Sequence, residues 1–369
     1  MRYDTLIAGA GLAGLQCARL LAQRGLRVLL VDRKASLVET IQTTGIFVRK
    51  TWEDFPLPDE QLGPAIRDVI LYSPARRAMR LTAQHDEFRI GRMSWLYLYL
   101  LEQCVRAGVT WLPETTFEAY DGEWATLRRR GHKERVSTRY VIGADGARSR
   151  VARALRLDTN REMLIGIEDI VPPTGSTPEL HCFLDPRLAP GYIAWLANDG
   201  HEAHVGVAGY RDRFDPAVAL DAFRASLPFA IGRTIERRGG LIPVGGMLRR
   251  IANDRGLVVG DAAGAVSPLT AGGLDAALRL STFAADVVTN YLEHGDKRVL
   301  AQYTGDRFRA RFLARRWMRR AIRATAHPLL MEVACALMRT PPLRAMAEHV
   351  FFARGSFPDV AVEPISARA

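Results

Sequence analysis

The sequence predicts a mixed α/β fold with an inserted antiparallel sheet and a helical carboxyl-terminal region, and three observations predict it. The chain opens with an apolar strand, a glycine-rich turn and an amphipathic helix. Short strands separated by proline and glycine fill the region from 160 to 250, and a basic, helix-forming stretch follows near the carboxyl end. The opening order is typical of a nucleotide-binding β-α-β unit, and the short strands are typical of an antiparallel sheet.

The first motif, Gly-Ala-Gly-Leu-Ala-Gly at 9 to 14, predicts a cradle for the diphosphate of a dinucleotide. Gly9 permits a tight turn, Gly11 lets the backbone approach the diphosphate, and Gly14 lets the helix at 15–24 pack close to the strand. Backbone N–H groups at the helix start then face the anion. The next strand ends at Asp32, about twenty residues after the turn, where an acid binds ribose hydroxyls. Together these features predict a Rossmann-like domain.

The composition is that of an ordinary globular chain of 369 residues, long enough for one large domain or two closely packed ones. The four cysteines, Cys17, Cys104, Cys182 and Cys335, are widely spaced and form no cluster with histidine. This spacing suggests neither a zinc site nor a disulfide framework, and we expect the reducing cytoplasm as the compartment.

The charge is uneven, because 51 Lys and Arg stand against 40 Asp and Glu and much of the excess lies at 307–323. The basic residues of this segment are Arg307, Arg309, Arg311, Arg315, Arg316, Arg319, Arg320 and Arg323. Phe308, Phe312 and Trp317 interleave with them, which suits a helix lying on anionic headgroups, on the inner face of a membrane. A helix packed on the nucleotide domain with solvated arginines is the alternative. Nucleic acid is not expected, because no nucleic-acid module accompanies the charge.

No segment qualifies as a membrane span, since the most apolar late stretch, 329–338, is too short and contains Glu332. Any membrane contact is therefore expected to be peripheral.

The pattern along the chain predicts a discontinuous arrangement of domains. The nucleotide domain comprises 1–65, 92–158 and 250–300, the sheet domain 66–91 and 159–249, the basic helical region 301–355, and a loose tail 356–369. Within the sheet domain, strands are predicted at 164–168, 180–184, 192–197 and 203–208. Two helices are then predicted, at 216–225 with Asp215 as its N-cap and at 228–237.

Two further motifs give the chain its resemblance to a family. Gly-Ala-Asp-Gly-Ala-Arg-Ser lies at 143–149, and Gly-Asp-Ala-Ala-Gly at 260–264 ends a strand and precedes Gly272-Gly273-Leu274. In this order the three motifs resemble the flavin monooxygenase and geranylgeranyl reductase superfamily, which has the para-hydroxybenzoate hydroxylase fold. The resemblance covers nearly the whole chain and implies bound FAD. Where the reductases carry Thr-Gly-Glu-Gly-Ile, this chain has Thr270-Ala271-Gly272-Gly273-Leu274, so the acid is missing.

The resemblance also implies which residues hold the cofactor. Asp261 is expected at the ribitol hydroxyls, Thr44 and Arg49 on the loop that crosses the flavin ring, and Arg92 at a phosphate, although Arg92 could instead be a solvated helix-start residue. N–H groups at 272–274 can hold the pyrimidine edge and stabilise charge on the reduced flavin. The full predicted cofactor set is Gly9, Gly11, Ala13, Gly14, Asp32, Arg33, Thr44, Arg49, Arg92, Asp145, Asp261, Gly272, Gly273 and Leu274.

Substrate residues are predicted in the sheet domain. Tyr192 and Trp195 resemble the Gly-Tyr-x-Trp segment that walls the reductases' substrate cavity, with one extra residue before the tryptophan; ordinary core aromatics are the alternative. His181 and His204 are acid–base candidates if they point at the cavity, but the sequence does not assign a catalytic residue.

Function follows from the cofactor. The chain has no second glycine fingerprint, so we expect a transient NAD(P)H or a separate electron-donor protein, drawn by Arg148, Arg150 and Arg49. The motifs favour an oxidoreductase that reduces a carbon–carbon double bond of a hydrophobic, polyprenyl-type substrate through flavin N5. The alternatives are an aromatic monooxygenase using a C4a-hydroperoxyflavin and a prenyl-protein escort protein without flavin chemistry.

Overall fold

A computed structural model of the chain describes residues 2–39, 41–174, 178–210, 212, 214–228, 231–324, 327–352 and 357–363, apart from the side chain of Arg311. The described strands are β1 (Arg2–Ala8), β2 (Val28–Val31), β3 (Ile46–Val48), β4 (Asp68–Tyr72), β5 (Ala78–Thr82), β6 (Phe88–Ile90), β7 (Thr110–Leu112), β8 (Thr115–Tyr120), β9 (Trp124–Arg129), β10 (His132–Gly143), β11 (Met163–Val171), β12 (Glu179–Phe183), β13 (Ala194–Asn198), β14 (Ala203–Gly209), β15 (Glu236–Pro243) and β16 (Gly256–Val258). The described helices are α1 (Leu12–Gln23), α2 (Arg49–Asp54), α3 (Met93–Arg106), α4 (Arg150–Ala154), α5 (Pro216–Ala225), α6 (Leu274–His294), α7 (Lys297–Gln302), α8 (Asp306–Ala324), α9 (Pro328–Leu337) and α10 (Pro341–Phe352).

The first sheet has the strand order β7-β2-β1-β10-β9-β8, with β16 also paired to β10. Strands β7, β2, β1, β10 and β16 are parallel, whereas β8, β9 and the first half of β10 form an antiparallel meander. All three glycine motifs follow parallel strands of this sheet, β1, β10 and β16. Because the carboxyl ends of parallel strands meet at one edge, the topology brings the three motifs together.

Helices α1 and α6 pack against each other beside this sheet. The Ser281 hydroxyl donates to the Ala13 carbonyl at 3.0 Å, and the Cys17 thiol contacts the Ser281 carbonyl at 3.5 Å. One apolar core joins α1, α3 and α6 to the parallel strands. The predicted mixed α/β class with a Rossmann-like domain is confirmed.

The second sheet has the order β15-β11-β14-β13-β12-β4-β5 and is antiparallel except for the parallel pair β4 and β12. Val205 and Val207 on β14 pack with Leu220 and Phe223 of α5, which covers one face. Since side chains alternate along a strand, His204 and Gly206 lie on the opposite, inner face. Sequence predictions placed strands at β11 to β14 and helix α5 correctly, including the Asp215 N-cap, whose carboxylate accepts from Ala217 N at 2.8 Å.

The helix predicted at 228–237 is wrong. Residues 229 and 230 lie outside the described residues, residues 231–235 are not helical, and β15 begins at Glu236. The pairing of β15 with β11 aligns Arg237 with Asp169, whose buried carboxylate accepts from the Arg237 Nε at 2.7 Å. A long-range ion pair and the strand-forming sequence after it outweigh the local helical pattern.

The tail predicted to be loose after Ser356 differs from the structure over 357–363; residues 356 and 364–369 lie outside the described part. Phe357 is only 1% exposed and stacks on Phe308 of α8 at 4.6 Å between ring centroids. Asp359 bonds to Lys50 at 2.9 Å and also pairs with Arg279 of α6. An aromatic residue and an acid therefore anchor this segment on the first domain.

Among the described helices, none is long and apolar enough to cross a bilayer. The chain passes from the first sheet to the second and returns to the first at β16. The exact domain boundaries stay a prediction.

Candidate active site

The turn after β1 has the geometry that a diphosphate cradle requires. Gly9 has φ +105°, and a Cβ atom there would lie 2.2 Å from the Ala144 carbonyl oxygen. A Cβ atom at Gly14 would lie 1.9 Å from the Gly9 carbonyl oxygen, so helix and turn are in close contact. At Gly11, by contrast, a Cβ atom would meet nothing within 4 Å. Gly9 and Gly14 are therefore required by the protein itself, whereas Gly11 faces open space.

Residues around this turn tie the first motif to the third. The Asp32 carboxylate accepts from Ala10 N at 2.7 Å and from Lys34 N at 2.9 Å, which fixes it beside the turn. Ala13 is buried on α1, and a Cβ atom at Gly260 would lie 3.0 Å from the Ala13 Cβ. Arg33, next to Asp32, is exposed.

Hydrogen bonds within the second motif fix its conformation. The Asp145 carboxylate accepts from Ser149 Oγ at 2.5 Å and from Arg150 N at 2.6 Å, and so holds the start of α4. The Asn160 side-chain amide donates to the Ala147 carbonyl at 3.1 Å and the Asp261 carbonyl at 2.8 Å. Asn160 thereby joins the second motif to the third. The predicted cofactor role of Asp145 stays a prediction.

The third motif presents an acid and an uncapped helix start. Burial raises the pKa of Asp261 to about 6. Helix α6 begins at Leu274, after the N-cap residue Gly273. Because glycine has no side chain, the N-cap offers no side-chain acceptor to the first N–H groups of the helix. Burial and the nearby Asp261 carboxylate raise the pKa of the Tyr97 hydroxyl, which places this α3 tyrosine beside the same acid.

The loop before β3 reaches the second sheet. Thr44 Oγ1 donates to Glu168 of β11 at 2.7 Å, and the Gly45 carbonyl accepts from Gly91 N at 2.8 Å. Arg49 lies 3.5 Å from Glu87 and 3.8 Å from Glu53, so its charge is compensated by acids of the chain. This pairing weakens the expectation that Arg49 attracts an anionic donor.

Arg92 precedes α3, and its Nε atom is buried with no hydrogen-bond partner among the described residues. A buried donor left unpaired costs about 1–3 kcal/mol, so an acceptor from outside the chain is expected there.

The structure separates the two histidines. His204 is 2% exposed on the inner face, with its Nδ1 atom 3.8 Å from Glu168 and its Nε2 atom 3.7 Å from Asp199. Burial alone would lower the pKa of His204, but the two carboxylates raise it to about 9. His181 lies on the other face, where its Nδ1 atom is 3.1 Å from the Tyr72 hydroxyl. Only His204 is an inner-face acid–base candidate.

The two predicted pocket aromatics lie on the same side of the second sheet. Trp195 is on β13 opposite Gly206, and a Cβ atom at Gly206 would lie 2.2 Å from the indole ring. Its Nε1 atom is buried without a hydrogen-bond partner among the described residues. The Tyr192 hydroxyl donates to the Thr270 carbonyl at 2.7 Å, so this tyrosine is held against the loop that leads into α6.

These features fit a flavin dinucleotide. Gly11 faces space beside a helix start, Arg92 offers an unpaired donor, and the Asp261 carboxylate is buried beside a second helix start. A diphosphate, hydroxyl groups and a pyrimidine edge are the chemical groups that would satisfy them.

Comparisons with known proteins agree with this geometry. The model of the pyridine nucleotide-disulphide oxidoreductase family matches residues 3–163. Digeranylgeranylglycerophospholipid reductase 2 of Methanothermobacter thermautotrophicus is 29% identical over 324 residues, which cover 82% of each chain. A geranylgeranyl bacteriochlorophyll reductase-like structure from Thermoplasma acidophilum superposes with a TM-score of 0.81 at 18% identity, covering 96% of this chain and 97% of that one. A p-nitrophenol 4-monooxygenase from Pseudomonas putida superposes with a TM-score of 0.69 at 15% identity, covering 95% and 93%.

The chain is thus an FAD-dependent oxidoreductase with the para-hydroxybenzoate hydroxylase fold. Within that superfamily its similarity to named geranylgeranyl-type reductases agrees with the branch that the sequence motifs predicted.

Sequence reasoning missed several residues of the site. Asn160 and Tyr97 lie outside any motif, and Glu168 was assigned only to a strand. Their roles arise from contacts between segments far apart in the chain, and no local pattern marks them.

Proposed function

We propose that this chain binds FAD across its three motifs and uses it to reduce a carbon–carbon double bond of a polyprenyl lipid. The observation that carries the proposal is the open space at Gly11 together with the unpaired Arg92 Nε atom and the uncapped start of α6, which suit a dinucleotide in a chain similar to a digeranylgeranylglycerophospholipid reductase. When bound and reduced, FAD would supply a hydride to one carbon and water the proton to the other, while the chain would supply the binding surface and orientation.

Each chemical group of FAD has residues that would bind it. The turn at 9–14 would hold the diphosphate with Arg92, Asp32 the adenosine ribose, Asp261 the ribitol hydroxyls, and 272–274 the pyrimidine edge. Thr44 would lie against the ring. Ala13, Arg33, Arg49 and Asp145 complete the proposed set as supporting residues.

The substrate would lie on the apolar half of the inner face. Cys182 pairs in register with Trp195 and belongs to an apolar cluster that continues to α10. The buried members of this cluster are Ile66, Val69, Leu71, Met79, Leu81, Phe88, Ile90, Leu180, Cys182, Ala197 and Ala347. A branched hydrocarbon chain that lay against Trp195 would border this packed apolar cluster, which suits a substrate without hydrogen-bonding groups.

The relatives named digeranylgeranylglycerophospholipid reductase indicate the substrate class, a geranylgeranyl-bearing phospholipid. The electron source is proposed to be NAD(P)H visiting transiently, or a donor protein. Arg148 and Arg150 are exposed beside the second motif and would attract an anionic donor.

A test uses the reduced, FAD-loaded protein under nitrogen and follows reoxidation of the flavin by absorbance on adding a geranylgeranyl lipid. We expect lipid-dependent reoxidation that Trp195→Phe slows at least several-fold without loss of FAD. Trp124→Phe is the matched control, because Trp124 is 39% exposed on β9, far from the inner face. Equal rates with and without lipid would overturn the proposal.

Aromatic hydroxylation is a second candidate, and one observation favours it. The polar half of the inner face carries two buried donors without a hydrogen-bond partner among the described residues, Trp195 Nε1 and Arg238 Nε. A phenolate oxygen would satisfy such donors. Oxygen-dependent turnover of phenols, with no response to the lipid, would favour this function.

We also propose a peripheral contact with an anionic bilayer through the carboxyl-terminal helices. Apolar side chains on α8 and α9 are exposed: Leu313, Trp317, Leu329, Leu330, Val333 and Leu337. Arg316, Arg320 and Arg323 of α8 flank them, and Arg320 stacks on Trp317 at 4.9 Å. Apolar residues beside cations suit the interface of a membrane with anionic headgroups.

Sedimentation with vesicles tests this contact. We expect binding to vesicles of phosphatidylglycerol and weaker binding to phosphatidylcholine, with a loss on Leu330→Asp. The matched control is Val218→Asp on α5, since Val218 is likewise exposed but lies away from this surface. Equal binding of Leu330→Asp and the wild type would contradict the proposed surface.

A further inference from the structure

Helix α8 places two arginines one turn apart against the loop at 267–270, which leads into α6. The Arg315 Nη1 atom donates to Ser267 Oγ at 3.0 Å. The Arg319 Nε atom donates to the Pro268 carbonyl at 2.6 Å, and its terminal nitrogens donate to the Gly191 and Leu269 carbonyls. Arg319 is 2% exposed. Helix α8 thus places a buried cation behind the loop that leads into 272–274, the segment proposed to hold the flavin's pyrimidine edge.

These cations lack acidic partners. No carboxylate of a described residue lies within ion-pair distance of either guanidinium; Arg319 instead faces three carbonyls and the Tyr192 ring at 4.9 Å. Among acids, the charge of Glu162 acts to raise the pKa of Arg319. The Glu162 carboxylate does not pair with Arg319 but accepts a hydrogen bond from the Tyr210 hydroxyl at 2.8 Å. Burial lowers the pKa of Arg315 and of Arg319, yet guanidinium groups stay protonated in proteins.

Burying a cation without an acid is unfavourable, and carbonyl contacts offset this cost only in part. A negative charge held nearby would offset more. Reduction of FAD by two electrons with one proton adds such a charge at the pyrimidine edge, and the uncapped start of α6 at Gly273 already favours an anion there. Arg315 and Arg319 add two fixed charges to the same loop.

We propose that Arg315 and Arg319 raise the reduction potential of the bound flavin by stabilising the anionic reduced form over the oxidised form. They act as positioning residues, through the 267–270 loop, without touching the substrate. Polarising the Pro268 and Leu269 carbonyls strengthens the dipoles of the loop, and the low dielectric around buried charges keeps their field strong. This inference rests on the proposed FAD site but not on the proposed substrate.

The test compares midpoint potentials of FAD-loaded full-length variants, measured from flavin absorbance during equilibration with reference dyes. We expect Arg315→Met and Arg319→Met each to cut the preference for reduced over oxidised flavin about tenfold, a fall of about 30 mV. Affinity for oxidised FAD should change less than threefold. Arg315→Lys should keep the wild-type potential, because it keeps the charge.

Arg320→Met is the matched control, since Arg320 lies exposed on the same helix. It should leave the potential unchanged, and the difference between variants should persist in high salt because screening is weak for buried charges. If Arg319→Met does not fold, the potential of Arg315→Met still tests the inference. Arg315 makes a single hydrogen bond to the loop, so we expect its replacement to leave the fold intact. Equal potentials of Arg315→Met and Arg320→Met would overturn the inference alone, whereas a wild-type protein that binds no FAD would overturn the proposed function with it.

Discussion

At the scale of single residues, the glycines of the first motif have different structural roles. Gly9 and Gly14 are fixed by contacts within the chain, whereas a methyl group at Gly11 would meet no atom of a described residue within 4 Å. Gly11 also has φ −75°, which alanine adopts without strain. The space in front of Gly11 is therefore available to a ligand.

We predict that Gly11→Ala leaves the free energy of unfolding within about 0.5 kcal/mol of wild type in the FAD-free protein but weakens FAD binding at least tenfold. Gly9→Ala, its matched control, should destabilise the fold itself. Chemical unfolding and flavin titration separate the two effects. Unchanged FAD affinity in Gly11→Ala would place the diphosphate elsewhere.

Asp261 illustrates a conflict between binding and stability. Its raised pKa of about 6 means that ionisation of this carboxyl opposes folding of the FAD-free chain, to an extent that grows from about pH 4 and is complete above about pH 6. We predict that Asp261→Asn raises the unfolding temperature of the FAD-free protein most at pH 8, by less at pH 5 and not below about pH 4, while weakening FAD binding roughly tenfold to a hundredfold. A variant less stable at pH 8, with normal affinity, would contradict the assigned role.

His204 predicts a pH dependence of stability. Its folded pKa of about 9 lies above its ordinary value, so its contribution is fully present below about pH 6.5 and is lost as pH rises through 9. We expect a loss on the order of 1–3 kcal/mol over that range, measured by urea unfolding. In His204→Gln this loss should disappear; if the full loss persists, another group titrates.

At the scale of elements, local patterns predicted most of the structure. Strand β1, the glycine turn and α1 follow from hydrophobic periodicity and glycine placement, and α5 follows from Asp215 and the proline after it. The error at 228–237 arose because β15 is fixed by its pairing with β11, which no local pattern records.

The ion cluster that holds β15 gives a prediction. Asp169 is fully buried, and it accepts from Arg224 of α5 at 2.7 Å and from Arg237 of β15 at 2.7 Å. Asp169→Asn leaves Arg224 without a counter-charge and Arg237 with exposed Asp221 alone, so we expect a loss of about 3–5 kcal/mol in urea unfolding. Asp221→Asn is the control, because exposed Asp221 lies 3.3 Å from the same Arg237 and should cost under about 1 kcal/mol. Equal losses would show that Asp169 is no anchor.

Helix α8 shows what charge patterning could and could not predict. The sequence left open a membrane-facing helix and a helix packed on the nucleotide domain, and the structure contains features of both. Phe308 and Phe312 are buried against the first domain, whereas Leu313 and Trp317 are exposed. The burial of Arg319 was unpredictable, because it depends on three carbonyls from two distant loops.

At the scale of the whole molecule, the strand order explains why three short motifs define one site. Strands β1, β10 and β16 are parallel neighbours, so segments more than a hundred residues apart meet at one edge. The order of the motifs in the sequence carried the resemblance, and the resemblance predicted the bound flavin and the reductase-like branch. Tyr97, Asn160 and Glu168 join the site only through contacts between segments far apart in the chain and could not be predicted from spacing.

The central claim is that this site adds hydrogen to a double bond instead of oxygen to a ring. The most direct measurement is the mass of the product formed from a geranylgeranyl phospholipid by the FAD-loaded protein with a chemical reductant, under nitrogen and in air. We predict a gain of two hydrogen atoms for each reduced double bond, in full yield under nitrogen. A product that forms only in air and gains an oxygen atom would contradict the account.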